Sequence, residues 1–138
     1  MSFLNKIQTE LNAPKNQYNS FGKYKYRSLE DIFEGLKPLL KETKCSVTVE
    51  DEVVMVGDRI YIKATAKLLN PNLEVIATGY GWARESLTKK GMDDSQVTGA
   101  TSSYARKYAL NGLFAIDDVK DADSMKPTES KQSSNNTW

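Results

Sequence analysis

The hydrophobic pattern changes period once, near Lys44, and that change constrains the fold more than any other feature of the chain. Before it, Leu29, Ile32, Phe33, Leu36, Leu39 and Leu40 recur at helical spacing, which places them on one stripe of an amphipathic helix. Ser28 precedes the stripe and Asp31 follows three residues later, an acidic variant of the capping box that fixes the helix start. Gly35 and Pro38 weaken its second half and predict a kink. After Lys44 the apolar residues fall at every second position. Val47 and Val49 alternate with Thr48 and Glu50, and Ile60, Ile62, Ala64, Ala66 and Leu68 alternate with Tyr61, Lys63, Thr65 and Lys67. Gly57-Asp58 is a hairpin turn signal, Asn70-Pro71-Asn72 marks a second turn, and Val75 to Arg84 reads as a third strand.

The reading is therefore a three-stranded antiparallel meander. One of its faces offers Tyr61, Lys63, Lys67, Tyr80, Trp82 and Arg84. Flanking helices complete an α+β fold. Phe3, Leu4, Ile7 and Leu11 predict a short helix over residues 2–12, stopped by Asn12-Ala13-Pro14, and a helix over 95–111 is expected to end at Asn111-Gly112. On a 3.6-residue wheel Val97, Ala100, Thr101, Tyr104 and Tyr108 share a face, which favours the core for the two tyrosines, with base stacking as the alternative. Gly99, Ser103, Arg106 and Lys107 lie on the other side, where small residues beside cations allow a second backbone to come close. With 138 residues, a single domain over 1–116 is expected. Residues 117–138 are polar, acidic and poor in apolar side chains, and read as a disordered tail.

Several function classes lose support on composition. The chain has no histidine, and its single cysteine, Cys45, has no partner for an internal disulfide. The usual zinc sites and the commonest general base are thus missing. No stretch matches the phosphate-binding loop pattern G-x-x-x-x-G-K-[ST], which argues against a nucleotide-driven motor. No segment approaches the roughly 20 apolar residues of a membrane helix, and Asn5, Lys6 and Gln8 interrupt the start, so a cytoplasmic protein is expected. Asp93-Asp94 and the later acids Asp117, Asp118, Asp121 and Asp123 offer magnesium ligands for a nuclease, but without a catalytic lysine or histidine at a recognisable spacing. The expectation is a binding protein without catalytic residues, metal or cofactor.

Charge gives the positive lead. The net charge is only +1, yet residues 1–44 carry eight Lys/Arg against five Asp/Glu, and 84–116 carry five against three. Between Pro14 and Leu29 there is no acid at all, and Lys23, Lys25 and Arg27 alternate with Tyr24 and Tyr26. If that segment is extended, its cations point to one side about 6.5 to 7 Å apart and its rings to the other. One side then meets phosphates while the other packs or stacks on bases; the alternative is an edge strand kept soluble by lysine, with tyrosines in the core. Arg84, Lys89, Lys90, Arg106 and Lys107 form a second basic set, which is either a solvated face or a second row of phosphate contacts, with Lys63 beside it on the sheet.

Two segments carry a resemblance. Phe21-Gly-Lys-Tyr-Lys-Tyr-Arg-Ser28 before a capped helix, together with Gln96-Val-Thr-Gly-Ala-Thr-Ser-Ser-Tyr-Ala-Arg-Lys-Tyr-Ala-Leu110 and Leu113-Phe-Ala-Ile-Asp-Asp118, resembles the Erf (essential recombination function) family of phage single-strand annealing proteins. The pattern G-x-x-x-[ST]-Y-A-R-[RK]-Y-x-L is met by Gly99, Ser103, Tyr104, Ala105, Arg106, Lys107, Tyr108 and Leu110, and the order of elements agrees over about residues 10–120. The resemblance implies an ATP-independent protein that binds single-stranded DNA, assembles into rings or filaments, and pairs complementary strands in the host cytoplasm. It further implies a β-β-β-α core like that of the ring-forming eukaryotic annealing protein, and partners such as a single-strand-binding protein or an exonuclease. DNA contact falls on the cations beside the tyrosine motif and on Arg106-Lys107. A plain single-strand shield of the OB type would want five strands and no long helix after the third.

Overall fold

The computed structural model describes residues 2–85 and 94–117, with 94 and 95 described by backbone alone. In chain order the elements are α1 (Phe3–Glu10), β1 (Gln17–Asn19), β2 (Tyr24–Tyr26), α2 (Leu29–Thr43), β3 (Ser46–Val56), β4 (Arg59–Leu69), β5 (Val75–Arg84) and α3 (Asp94–Phe114). The fold is α+β, with the antiparallel sheet β3-β4-β5 and flanking helices.

The capping box forms as its sequence dictates. Asp31 N donates to Ser28 Oγ at 3.1 Å, and Ser28 N donates back to Asp31 Oδ2 at 2.8 Å. That backbone donor, foremost, holds the Asp31 carboxyl below its ordinary value. Gly35 and Pro38 do not end α2, which runs to Thr43 and stops where Lys44 turns left-handed at φ 61°. Gly35 instead admits the chain before it, since a Cβ there would stand 2.4 Å from the Asn12 carbonyl oxygen. Buried Ile32, Leu36 and Leu39 join Ile7 of α1 in the core.

The meander has the expected turns. Gly57 and Asp58 form the two-residue loop between Val56 and its partner Arg59, with Gly57 at φ 62°. Alternation puts Ile62, Ala64, Ala66 and Leu68 on the buried face. On β5 the corresponding face is Ala77, Gly79, Gly81 and Ala83, each paired across to one of those residues. The glycines bring α3 in until backbones touch. A Cβ at Gly81 would meet the Ala105 carbonyl oxygen at 2.2 Å and the Ala109 nitrogen at 2.5 Å.

That close approach corrects the wheel reading of α3. The line of contact holds only small residues, so Ala105 and Ala109 face the sheet, and Leu110, Leu113 and Phe114 complete the buried side. Tyr104 and Tyr108 are displaced to the flank, 47% and 44% exposed. The helix also continues past Asn111-Gly112. It ends at Ala115 (φ 56°), where Ile116 N donates to Asn111 O at 2.9 Å in a Schellman closure. On its far side α3 meets α1 and α2, and Gln8 Nε2 of α1 donates to Leu113 O at 2.8 Å. The layers are thus sheet, α3, then α1 with α2. The predicted tail, 117–138, lies outside the described residues beyond Asp117, as do Asp93, Asp118, Asp121 and Asp123. Among the described residues no helix is long and apolar enough to cross a membrane.

Candidate nucleic-acid interface

The basic-aromatic segment is a hairpin rather than one extended run. β1 and β2 pair antiparallel, with Gln17 opposite Tyr26, Tyr18 opposite Lys25 and Asn19 opposite Tyr24. Asn19 Oδ1 accepts from Gly22 N at 2.9 Å, and Lys23 sits in the turn at φ 57°. Lys23 is therefore out of line with Lys25, although both are exposed. Tyr24 and Tyr26 share the opposite face, their ring centroids 6.0 Å apart.

Arg27 departs furthest from the predicted row. Its Nε donates to Ala13 O at 2.7 Å and its Nη1 to the Asp117 carbonyl, so the guanidinium ties the segment before β1 to the end of α3. A planar five-donor group suits two backbone carbonyls better than a single phosphate. Arg106 is likewise engaged. Its Nε and Nη2 reach the two carboxylate oxygens of Asp51 at 3.0 and 3.2 Å, and Ser102 Oγ donates to the same carboxylate. Burial pushes the Asp51 carboxyl up, but the hydrogen bonds from Arg106 and Ser102 and the guanidinium charge outweigh it and hold the group below its ordinary value.

Lys107 is the residue that organises the surface. Its ammonium donates to Arg27 O at 3.2 Å and stands 5.5 Å from the Tyr26 ring centroid and 5.4 Å from that of Tyr104. Both separations are within cation–π range. Tyr104 in turn stacks on Tyr108 one turn along α3, with centroids 6.4 Å apart and planes at 25°.

Two hollows adjoin this row. One, of about 250 Å³, is lined by Tyr26, Ser28, Glu30, Ala100, Ser103, Tyr104 and Lys107. The other, of about 370 Å³, lies between α3 and β5 and is lined by Trp82, Arg84, Val97, Ala100, Tyr104 and Tyr108 among others. Ala100 and Tyr104 wall both, so the two hollows lie side by side along α3, with Glu30 and Lys107 bordering the first and Arg84 the second.

Lys63 stands elsewhere, on the sheet face away from α3, 4.7 Å from the Tyr80 ring centroid and 5.4 Å from that of Trp82. The structure thus brings Tyr26 and Lys107 to one hollow, with Lys25 and Lys23 on the adjacent hairpin and Arg84 at the border of the neighbouring hollow. It assigns Arg27 and Arg106 to internal bonds and leaves Lys63 on the outer sheet face beside Tyr80 and Trp82. Lys89 and Lys90 lie outside the described residues. Tyr104 and Tyr108, for which the wheel favoured the core over base stacking, lie at the surface of these hollows instead. The signal was present in Gly79-Tyr-Gly81, since two glycines on one face of a strand mark a place where another backbone comes close.

Comparison with known proteins agrees with the motif. The chain is 61% identical over 132 residues to the essential recombination function protein of Salmonella phage P22, an alignment that covers 96% of this chain and 61% of that protein. The chain thus spans somewhat less than two thirds of that relative's length. No solved structure matches. The family model for the ERF superfamily matches residues 2–138, reaching past the motif-bearing part through the polar carboxy-terminal segment, and the chain therefore belongs to the ERF superfamily.

Proposed function

We propose that this protein binds single-stranded DNA without ATP and anneals complementary strands in phage recombination, acting as a ring or filament of subunits in the host cytoplasm. The observation that carries the reading is Lys107, whose ammonium is fixed between the rings of Tyr26 and Tyr104 in an exposed groove. The superfamily and the recombination function named for the phage P22 relative support the same reading.

The chemistry of the groove suits annealing. Pairing requires that phosphate charge be neutralised so that two strands approach, while base edges stay free to test complementarity. Lys23, Lys25 and Lys107 supply point charges rather than a bidentate base reader, so binding is blind to sequence. Tyr26 and Tyr104 offer faces on which any base stacks, at about 1 to 3 kcal/mol each. No bond is made or broken, so the reading needs no catalytic residue, metal or cofactor. One subunit grips few nucleotides; an assembly multiplies the contacts through effective concentration.

Equilibrium binding of a fluorescent oligo-dT across a salt series tests the interface. Three phosphate contacts per subunit give a log–log slope of about −2 for a single strand, and Lys25→Ala and Lys107→Ala each flatten it by about 0.7. Affinity that ignores salt, or that favours duplex over single strand, would overturn the reading.

A further inference from the structure

The two edges of the sheet are unlike, and each carries what the other lacks. β3 and β5 each pair only with β4 among the described strands, so both outer edges are open. β5 is ten residues long, has no proline, and has no charge between Val75 and Ala83. An edge of that length and composition invites pairing with another strand. β3 instead carries Glu50, Asp51 and Glu52 in succession, while Arg84 closes β5 and lines the hollow beside it.

Beyond Asp51, β3 presents apolar side chains toward the buried side of the sheet, and no described element covers them. Val53 pairs with buried Ile62, and Met55 with Ile60, so both lie on the core face. Yet they are 67% and 66% exposed, because α3 lies on β4 and β5 and scarcely reaches β3. At the same level of the sheet, on the other edge, Arg84 pairs with Tyr61, which pairs with Val54. There the hollow of about 370 Å³ opens between β5 and α3, on that same core side, with Val97, Ala100 and Tyr108 in its walls.

We propose that the occupant of this hollow is the β3–β4 hairpin tip of a second copy of the chain, which docks Val53 and Met55 beneath α3 of its neighbour as β3 aligns with the open edge of β5. β3 and β5 are both antiparallel to β4 and so run the same way, and copies in the same orientation meet head to tail. Such a contact uses different patches on the two copies and generates a ring if the rotation closes or a filament if it does not. Charge fits this arrangement and opposes the two-fold alternative on β3, since Glu52 comes within two strand positions of Arg84 in the first, while Glu50 and Glu52 meet their own copies in the second. The inference deepens the self-association in the proposed function, and leaves the hollow beside Tyr26 and Lys107 to DNA.

A mixing experiment in sedimentation velocity, without DNA, tests it. Met55→Asp removes the tip and keeps the hollow, whereas Tyr108→Glu spoils the hollow and keeps the tip. Circular dichroism checks the fold of both, and Arg84→Glu serves as a milder hollow variant. The expected result is association by the wild type, at least 100-fold weaker association by each variant alone, and a one-to-one dimer on mixing that does not grow further. Wild-type behaviour in Met55→Asp, a monomeric wild type, or variants that fail to pair on mixing would each overturn the proposal. Oligo-dT binding, read separately by anisotropy, distinguishes the two readings. If Met55→Asp still assembles but loses DNA, the tip is a wedge for bases and the interface is wrong. If assembly behaves as expected while no form binds DNA, the interface stands and the function falls.

Discussion

Alanine at Gly81 and at Gly99 should move stability in opposite directions, because the same added methyl meets a backbone in one place and open space in the other. At Gly81 the new Cβ would lie 2.2 Å from the Ala105 carbonyl oxygen, about 0.8 Å inside the 3.0 Å floor that real Cβ contacts respect. The obstacle is helix backbone, so relief requires α3 to shift away from β5 and loosen its packing on Ala64 and Ala66. Overpacking of this kind costs about 1 to 3 kcal/mol, offset by roughly 0.5 to 1 kcal/mol from the stiffer unfolded chain. A net loss of about 1 kcal/mol is expected, or about 4 to 5 °C in Tm at roughly 4 °C per kcal/mol for a domain of this size. At Gly99 a Cβ meets nothing within 4 Å, and α3 continues on both sides. There alanine should add about 1 kcal/mol of helix propensity and raise Tm by about 4 °C. Thermal melts of the two variants beside the wild type check the pair. Equal shifts, or a Gly81→Ala variant within 2 °C of the wild type, would refute the close approach of α3 to the sheet that displaces Tyr104 and Tyr108 into the groove.

Arg27→Ala should lower stability by about 1 to 2 kcal/mol in urea, since it leaves the carbonyls of Ala13 and Asp117 without their donor; a variant with full stability but lost DNA affinity would return Arg27 to the phosphate row. Ser28→Ala should cost about 1 kcal/mol by removal of the cap of α2, read in the same denaturation assay. Acid should destabilise the fold through Asp31 and Asp51. Both carboxyls are held below the ordinary 3.8 in the native state, so their contribution is complete above that value and fades as pH falls through the lower native one. Urea midpoints between pH 6 and pH 2 should fall less steeply in an Asp31→Asn/Asp51→Asn double variant than in the wild type, and parallel curves would contradict this.

The meander was legible because alternation over Val47–Leu68 and turn residues at Gly57-Asp58 and Asn70-Pro71-Asn72 point to the same answer. The start of α2 was legible for a similar reason, since Ser28 and Asp31 are a local signal that needs no tertiary information. The β1–β2 hairpin was not, because its three-residue strands carry no period and its turn takes the left-handed conformation at Lys23 rather than at the neighbouring Gly22, which instead donates to the Asn19 side chain. The extension of α3 beyond Gly112 was hidden as well. Buried Leu113 and Phe114 pull the chain through one more turn, a packing effect that overrides the local breaker. The groove was half visible. Lys25, Tyr26 and Lys107 announce themselves as basic-aromatic residues, but which cations remain outward depends on distant partners such as Asp51 for Arg106 and Ala13 for Arg27, which pair across the fold and leave no trace in local sequence.

The central claim, that the groove around Lys107 serves strand pairing, is met most directly by the annealing of two complementary labelled oligonucleotides without ATP. The wild type is compared with a folded Lys25→Ala/Lys107→Ala variant. The account predicts that the wild type speeds pairing well above the protein-free rate and that the variant loses the acceleration. A wild type that binds single strands yet leaves pairing at the protein-free rate would contradict annealing and favour a plain single-strand shield. A variant that anneals like the wild type would contradict the site.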